Sequence, residues 1–196
     1  MDTISDQYYI DLVNGGDTIS FSVLVDRYKD FVFTLSLKML QSREEAEEAA
    51  QDTFIKVFRS LKSFKKESKF STWLYKISYN NCLDRIKKQK RNRPVLELNE
   101  FNEHEVISIM NVLETIEENE RMKMIRDCLG LLQPEESFLI TLYYFNENSL
   151  KEISEIMNIN ENNLKIKLFR VRKKLAGILK SNLEPELIDQ YGKQGR

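Results

Sequence analysis

The sequence predicts an all-α protein, and three observations carry that prediction. Only 6 Gly and 3 Pro occur in 196 residues. Strict apolar–polar alternation is nearly absent, and apolar residues recur three and four positions apart over long stretches. After Gly15-Gly16, Asp17 suits an N-cap for a helix from about Thr18 to Leu40. Phe21, Leu24, Val25, Tyr28, Val32, Leu35 and Met39 form its apolar stripe. Ser42-Arg-Glu-Glu45 reads as a capping box opening a helix to about Leu61, with Ala46, Ala49, Ala50, Phe54, Val57 and Phe58 facing inward. A basic loop, Lys62 to Lys69, precedes a third long helix from about Ser71 to Lys90, and Pro94 closes this unit.

Residues 94–120 have weaker periodicity and read as a linker, partly helical after Val106. A second unit follows, with a helix over 121–132 and another from Pro134 to Phe145. Ser149-Leu-Lys-Glu152 is a further capping box opening a short helix to Met157, and Asn160 caps a last helix reaching about Lys180. The expected organisation is 1–93, a linker over 94–120, 121–182, and a polar tail over 183–196.

Composition excludes several function classes. No apolar run approaches the ~20 residues of a membrane span, and Met1-Asp-Thr-Ile-Ser-Asp6 lacks the basic and apolar start of a targeting segment. Cys82 and Cys128 have no CxxC pairing, which removes a disulfide scaffold and a Cys-type zinc site. With His104 as the single histidine, neither a His-centred metal site nor a catalytic triad is expected, and no cofactor is indicated. A soluble cytoplasmic protein is the expectation.

The formal charge of −1 hides strong blocks. Residues 1–60 are net −5, 61–93 net +9, 94–120 net −8 with eight Glu and no Lys or Arg, and 161–180 net +6. Two cationic segments, each fused to a patterned helix, suit a polyanion.

The pair 149–157 and 161–178, joined by a three-residue turn, has the spacing of a helix-turn-helix. Asn158 stands where such turns usually carry Gly, and Asn tolerates the left-handed conformation required there. Asn162, Asn163, Lys165 and Lys167, near the start of the second helix, are the base-reading candidates. Arg170, Arg172, Lys173 and Lys174 are the phosphate-holding candidates. In the stretch Lys69 to Arg91, aromatics alternate with cations, a composition suited to unpaired bases. Trp73, Leu74 and Ile77 also fit a core, while Asn80 and the cations Arg85, Lys87, Lys88, Lys90, Arg91 and Arg93 fit contact with bases and backbone.

Ala46-Glu-Glu-Ala-Ala-Gln-Asp-Thr-Phe-Ile-Lys-Val-Phe58 and Phe70-Ser-Thr-Trp-Leu-Tyr-Lys-Ile-Ser-Tyr-Asn80 resemble the second conserved region of extracytoplasmic-function (ECF) sigma factors. Leu132-Gln-Pro-Glu-Glu-Ser-Phe-Leu-Ile-Thr-Leu-Tyr-Tyr-Phe145, with the helix-turn-helix ending Phe169-Arg-Val-Arg-Lys-Lys-Leu175, resembles their fourth. The resemblance implies a dissociable subunit of bacterial RNA polymerase that directs the enzyme to promoters, without catalysis of its own. It implies that Glu47, Glu48, Gln51, Asp52 and Phe54 dock core polymerase. It further implies that the loop and helix carrying Lys65, Lys66, Lys69, Phe70, Trp73, Tyr75, Asn80, Arg85, Lys87 and Lys88 capture the minus-ten element. The last helix then reads the minus-thirty-five element, the acidic linker threads towards the polymerase active site, and an anti-sigma factor is a further partner. Asn163-Leu164 and Arg170-Val-Arg172 stand where the family commonly has Thr-Val and Arg-Ala-Arg, so no promoter sequence carries over.

Two other readings compete. A dimeric helix-turn-helix regulator would bind palindromic DNA without polymerase. A metal-dependent nuclease would use Glu44, Glu45, Glu47 and Glu48, although acids in a first helical turn also answer the helix dipole.

Overall fold

A computed structural model describes residues 4–88 and 127–182. The expected acidic linker, His104, Lys90, Arg91, Arg93, most of the 121–132 helix and the tail lie outside the described residues. Every regular element among those described is helical. They fall into two compact units, residues 4–88 with 141–161, and residues 127–140 with 162–182.

The first unit opens with a helix absent from the sequence expectation, α1 (Asp6–Asn14). Its entry residue Ser5 makes no side-chain cap, so the local start signal is weak. Long-range bonds hold it instead. Arg27 donates to Asp6 Oδ1 at 2.7 Å and to the Ile4 carbonyl at 2.6 Å, and the Tyr28 hydroxyl donates to Asp6. The helix stops at Gly15, and Gly16 adopts φ 109°, a conformation that side chains resist. Asp17 caps as expected, but the next turn, Thr18–Ser20, is 3₁₀, and the α-helix α2 runs from Phe21 to Leu40.

All seven stripe residues predicted for α2 are buried or half-buried. Gln41 ends α2 in the left-handed region at φ 56°, and Ser42 Oγ then accepts from the Glu45 N–H to start α3 (Arg43–Ser60). Ala46, Ala49 and Ala50 are buried, and their small side chains let α3 lie close to α2. One expectation fails here: Phe58 is 40% exposed, whereas Phe54 is the buried aromatic. At 100° per residue, position 57 already takes the inward direction and turns 58 to the rim. There Phe58 meets Phe21 edge-on at 5.1 Å.

A 3₁₀ turn (Leu61–Ser63) and a basic loop lead into α4 (Phe70–Lys88), which packs on both α2 and α3. Asn81 organises that contact. Its Nδ2 donates to the Ala49 carbonyl at 2.9 Å and to Thr53 Oγ1 at 3.3 Å, while its Oδ1 accepts from Lys56 Nζ at 2.6 Å. A buried amide whose donors and acceptor are filled is stabilising; stripped of its partners it is costly. Next to it, the Cys82 side chain is fully buried.

Later in the chain, α5 (Pro134–Ile140) continues into a π-helical turn, Thr141–Phe145, in place of the uninterrupted helix expected. Then follow α6 (Leu150–Met157) and α7 (Glu161–Asn182). Residues 141–161 belong to the first unit, where α6 packs on α4. In the second unit Leu129, Leu132, Phe138, Leu139, Leu164, Leu168 and Val171 are buried. Two ion pairs join α5 to α7 there, Lys167–Glu135 at 2.8 Å and Lys174–Glu136 at 2.7 Å.

Replacing Asn81 with Ala leaves the Thr53 hydroxyl and Lys56 ammonium short of a partner and costs about 1–3 kcal/mol in urea unfolding. Asn80→Ala, at the neighbouring exposed position, costs under about 0.5 kcal/mol. Equal losses from the two would refute the organising role of Asn81.

Candidate nucleic-acid interface

The basic loop is shaped by its own strain. Lys66 sits at φ 61° and reaches back to Asp11, Nζ to Oδ1 3.1 Å. Its ammonium is thereby engaged with α1; Lys65 beside it is exposed, and Lys69, also exposed, pairs with Glu152 at 2.7 Å. Behind the loop lies an aromatic cluster. Phe64 contacts Phe70 and Trp73 at centroid distances of 5.8 and 5.2 Å, and Phe70 contacts Tyr28 at 5.6 Å. Phe70 is buried at 5% exposure and Tyr75 at 2%, so of this cluster Phe64 and Trp73 are the half-buried rings at its outer edge.

The solvent side of α4 is a single helical stripe. Lys76, Asn80, Asp84, Lys87 and Lys88 are exposed, with Trp73 at its upper end. Arg85 turns the other way: it pairs with Glu48 at 3.1 Å and also with Asp52. Burial works to lower the Arg85 pKa, but these two carboxylates raise it overall and keep the guanidinium firmly charged. Among the residues tied by resemblance to polymerase, Glu47, Glu48 and Gln51 are exposed, and Phe54 lies in the core. Sequence periodicity missed Ile55, 49% exposed, and Phe58, which extend that acidic stripe as an apolar end. Apolar residues standing off the 3.6-residue stripe were the available signal.

The helix-turn-helix spacing is realised by strong local chemistry. Ser149 and Glu152 complete a capping box: Glu152 N–H donates to Ser149 Oγ at 3.2 Å, and Ser149 N–H donates to Glu152 Oε2 at 2.8 Å. Asn158 ends α6 at φ 54°, the left-handed turn anticipated for it, and Ser154 Oγ donates to the Ile159 carbonyl at 2.6 Å. On α7, Asn162, Asn163, Lys165 and Arg170 are exposed, while Arg172 and Lys173 are half-buried. Lys167 and Lys174 are spent on Glu135 and Glu136. Two apolar residues that the charge pattern concealed, Ile166 and Phe169, are 52% and 46% exposed, and Lys173 Nζ lies 4.8 Å from the Phe169 ring centre.

Comparison with known proteins matches residues 24–92 to sigma-70 region 2 and residues 122–175 to sigma-70 region 4. The ECF RNA polymerase sigma factor SigW of Bacillus subtilis is 34% identical over 169 residues, spanning 83% of this chain and 90% of that protein. The chain belongs to the ECF sigma factors. A second relative, the ECF RNA polymerase sigma-E factor of Haemophilus influenzae, is 29% identical over 175 residues, 86% of this chain and 92% of its own length. Among solved structures, the sigma factor RpoE of Bartonella quintana, crystallised with the anti-sigma factor NepR, matches with a TM-score of 0.61 at 16% identity. That match covers 83% of this chain and 98% of RpoE. CnrH, solved with the cytosolic domain of CnrY, gives 0.59 at 16%, with coverages of 91% and 99%. At that identity the likeness speaks for the fold alone.

As an ECF sigma factor the chain recognises promoters and initiates transcription with RNA polymerase, and it is not an enzyme. The nuclease reading fails on family; among the described residues no cluster of His, Cys, Asp and Glu could hold a metal. No described helix is long and apolar enough to cross a membrane.

Glu152 gives this sigma factor a pH signature. Burial works to raise its carboxyl, but Lys69 and the Ser149 hydroxyl and N–H outweigh burial and bring the pKa down to about 2. A carboxyl lowered on folding stabilises fully above its unfolded pKa of about 4.3 and loses that contribution as pH falls towards 2. Urea unfolding between pH 5 and about 2 therefore shows a falling leg that flattens in Glu152→Gln; an unchanged leg would contradict the assignment.

Proposed function

We propose that promoter reading is divided between the two cationic segments. Loop 64–69 and the exposed stripe of α4 hold the melted minus-ten strand, with Trp73 and Asn80 against a base and Lys65, Lys69, Lys87 and Lys88 along the phosphates. The observation that carries this reading is the pair of half-buried rings, Phe64 and Trp73, standing at the edge of an exposed cationic loop. Every base offers a face to stack on, and capture of an unstacked base offsets the few kcal/mol, roughly, that unstacking requires. Phe70 and Tyr75 act from beneath, as the floor on which Trp73 and the loop rest.

The start of α7 reads the minus-thirty-five element through Asn162, Asn163 and Lys165, with Lys167 released from Glu135 on approach to DNA. Arg170, Arg172, Lys173 and Lys174 hold phosphates. Glu47, Glu48 and Gln51 face core polymerase, with Asp52 fixed by Arg85 and Phe54 supporting the helix from the core. Segments 1–93, 94–120 and 121–182 act as docking and minus-ten unit, tether, and minus-thirty-five unit, with 183–196 as a tail. The site of action is the cytoplasm, and an anti-sigma factor is the expected antagonist, as NepR is a partner of the RpoE neighbour.

Run-off transcription with core polymerase tests the reading. Initiation at a defined start site is expected only with this chain added; tight binding of duplex DNA without core, and no initiation with it, would favour a dimeric regulator. Within an active promoter, Lys165→Ala shifts preference at one base pair, at roughly 1–3 kcal/mol of discrimination. Arg170→Ala weakens all promoters alike and lowers the salt slope by about one. Uniform losses from both substitutions would defeat this assignment of roles.

A further inference from the structure

Helix α7 buries Leu164, Leu168 and Val171 in the core of the second unit, which fixes the direction of its solvent face. At about 100° per residue, Asn162, Ile166, Phe169 and Lys173 fall within about 60° of one another on the side opposite that core. Lys165 stands to one side of this stripe and Arg170 to the other. Two apolar side chains therefore occupy the middle of the face, Ile166 at 52% and Phe169 at 46% exposure. Single exposed apolar residues are ordinary on a protein surface. Here two stand about one turn apart, at the centre of a cationic face on a helix that contains no acid beyond Glu161.

Those surroundings decide what can cover the pair. The flanking cations call for a polyanion, and the apolar centre calls for an apolar group between its charges. The floor of the DNA major groove offers one such group, the C5 methyl of thymine. Residues three apart are separated by about 4.5 Å along a helix, close to the roughly 3.4 Å between successive base pairs. We propose that Ile166 and Phe169 are specificity-determining residues that read thymine methyls at two adjacent base pairs of the minus-thirty-five element, a role that rests on the reading of that element by α7 proposed above.

The discrimination has two sides. A thymine methyl gains by leaving water against an apolar side chain. Cytosine in its place sets an N4 donor beneath a side chain that offers no acceptor, which costs a hydrogen bond. Phe169 is held for this use before DNA arrives. Lys173 Nζ lies 4.8 Å from the ring centre, which restrains the ring and leaves the ammonium hydrogens for a phosphate. Lys173 is thus a positioning residue for Phe169.

Deoxyuridine isolates the methyl, because it keeps every hydrogen-bonding group of thymine. Each thymine of the minus-thirty-five element of an active promoter, on either strand, is exchanged singly, and promoter binding is measured with the full chain and core polymerase. Losses of about fourfold are expected at two neighbouring positions. Ile166→Ala removes the thymine–deoxyuridine difference at one of them and Phe169→Ala at the other, and both positions are exposed enough to spare the fold. Lys173→Gln narrows the difference at the Phe169 position and leaves it unchanged at the Ile166 position. If base-pair changes in the element matter but deoxyuridine is tolerated throughout, or no thymine lies there, methyl reading is overturned and promoter reading by α7 stands. If no base-pair change there matters, both fall. A difference that survives both Ala substitutions assigns the methyls to other residues and overturns the role given to this pair. Loss of core polymerase binding by either Ala chain in the absence of DNA makes the pair a protein-docking patch and likewise overturns it.

Discussion

The Asn81 side chain is the constraint on which the first unit turns. Three partners from α3 converge on one buried amide, two accepting its hydrogens and one donating to its oxygen. Apolar packing alone fixes a helix loosely about its own axis; a filled amide fixes its rotation, since a turn of a few tens of degrees would strand buried donors and acceptors. With α4 so locked, Trp73, Lys76, Asn80 and Lys87 are committed to the outer side and Tyr75 and Cys82 to the inner. A surface meant to seize a base within a small tolerance needs that rotational certainty more than it needs extra burial.

Much of this architecture is written in short-range chemistry. The caps at Asp17, Ser42 and Ser149, and the left-handed turn at Asn158, involve residues two to five apart, and the sequence displays them openly. The stripe of α2 is equally plain because each of its members faces one partner surface. What the sequence hides is long-range. Helix α1 owes its place to Arg27 and Tyr28, some twenty residues away, and carries no cap of its own. The rim position of Phe58 on α3, where Phe54 keeps its expected place in the core, follows from a helix bordered on two sides, where the rim depends on how wide the contact is.

Charge was legible in quantity but not in allegiance. Counting assigns Lys66, Lys69, Arg85, Lys167 and Lys174 to cationic DNA-facing blocks, and the structure gives each an acidic partner within the protein. In all five cases those partners stand between 32 and 83 positions away, beyond any helical periodicity. The exposed remainder, among it Lys65, Lys87, Lys88, Lys165 and Arg170, is a smaller set than the block totals suggest. The apolar residues among the charges, Ile166 and Phe169, escaped for the opposite reason: nothing about their type announces exposure.

The buried Cys82 thiol carries a consequence for signalling chemistry. Burial raises its pKa to about 11, against the opposing influence of Ser36, Arg85 and Lys56. At neutral pH about one molecule in 10⁴ then holds a thiolate, the form that peroxides and disulfides attack. Because the sulfur also lies under a packed core with no exposed surface, oxidation there demands local unfolding first. The Cys82 sulfur thus serves as a small apolar filler, and an oxidant has no direct handle on the folded molecule at this position.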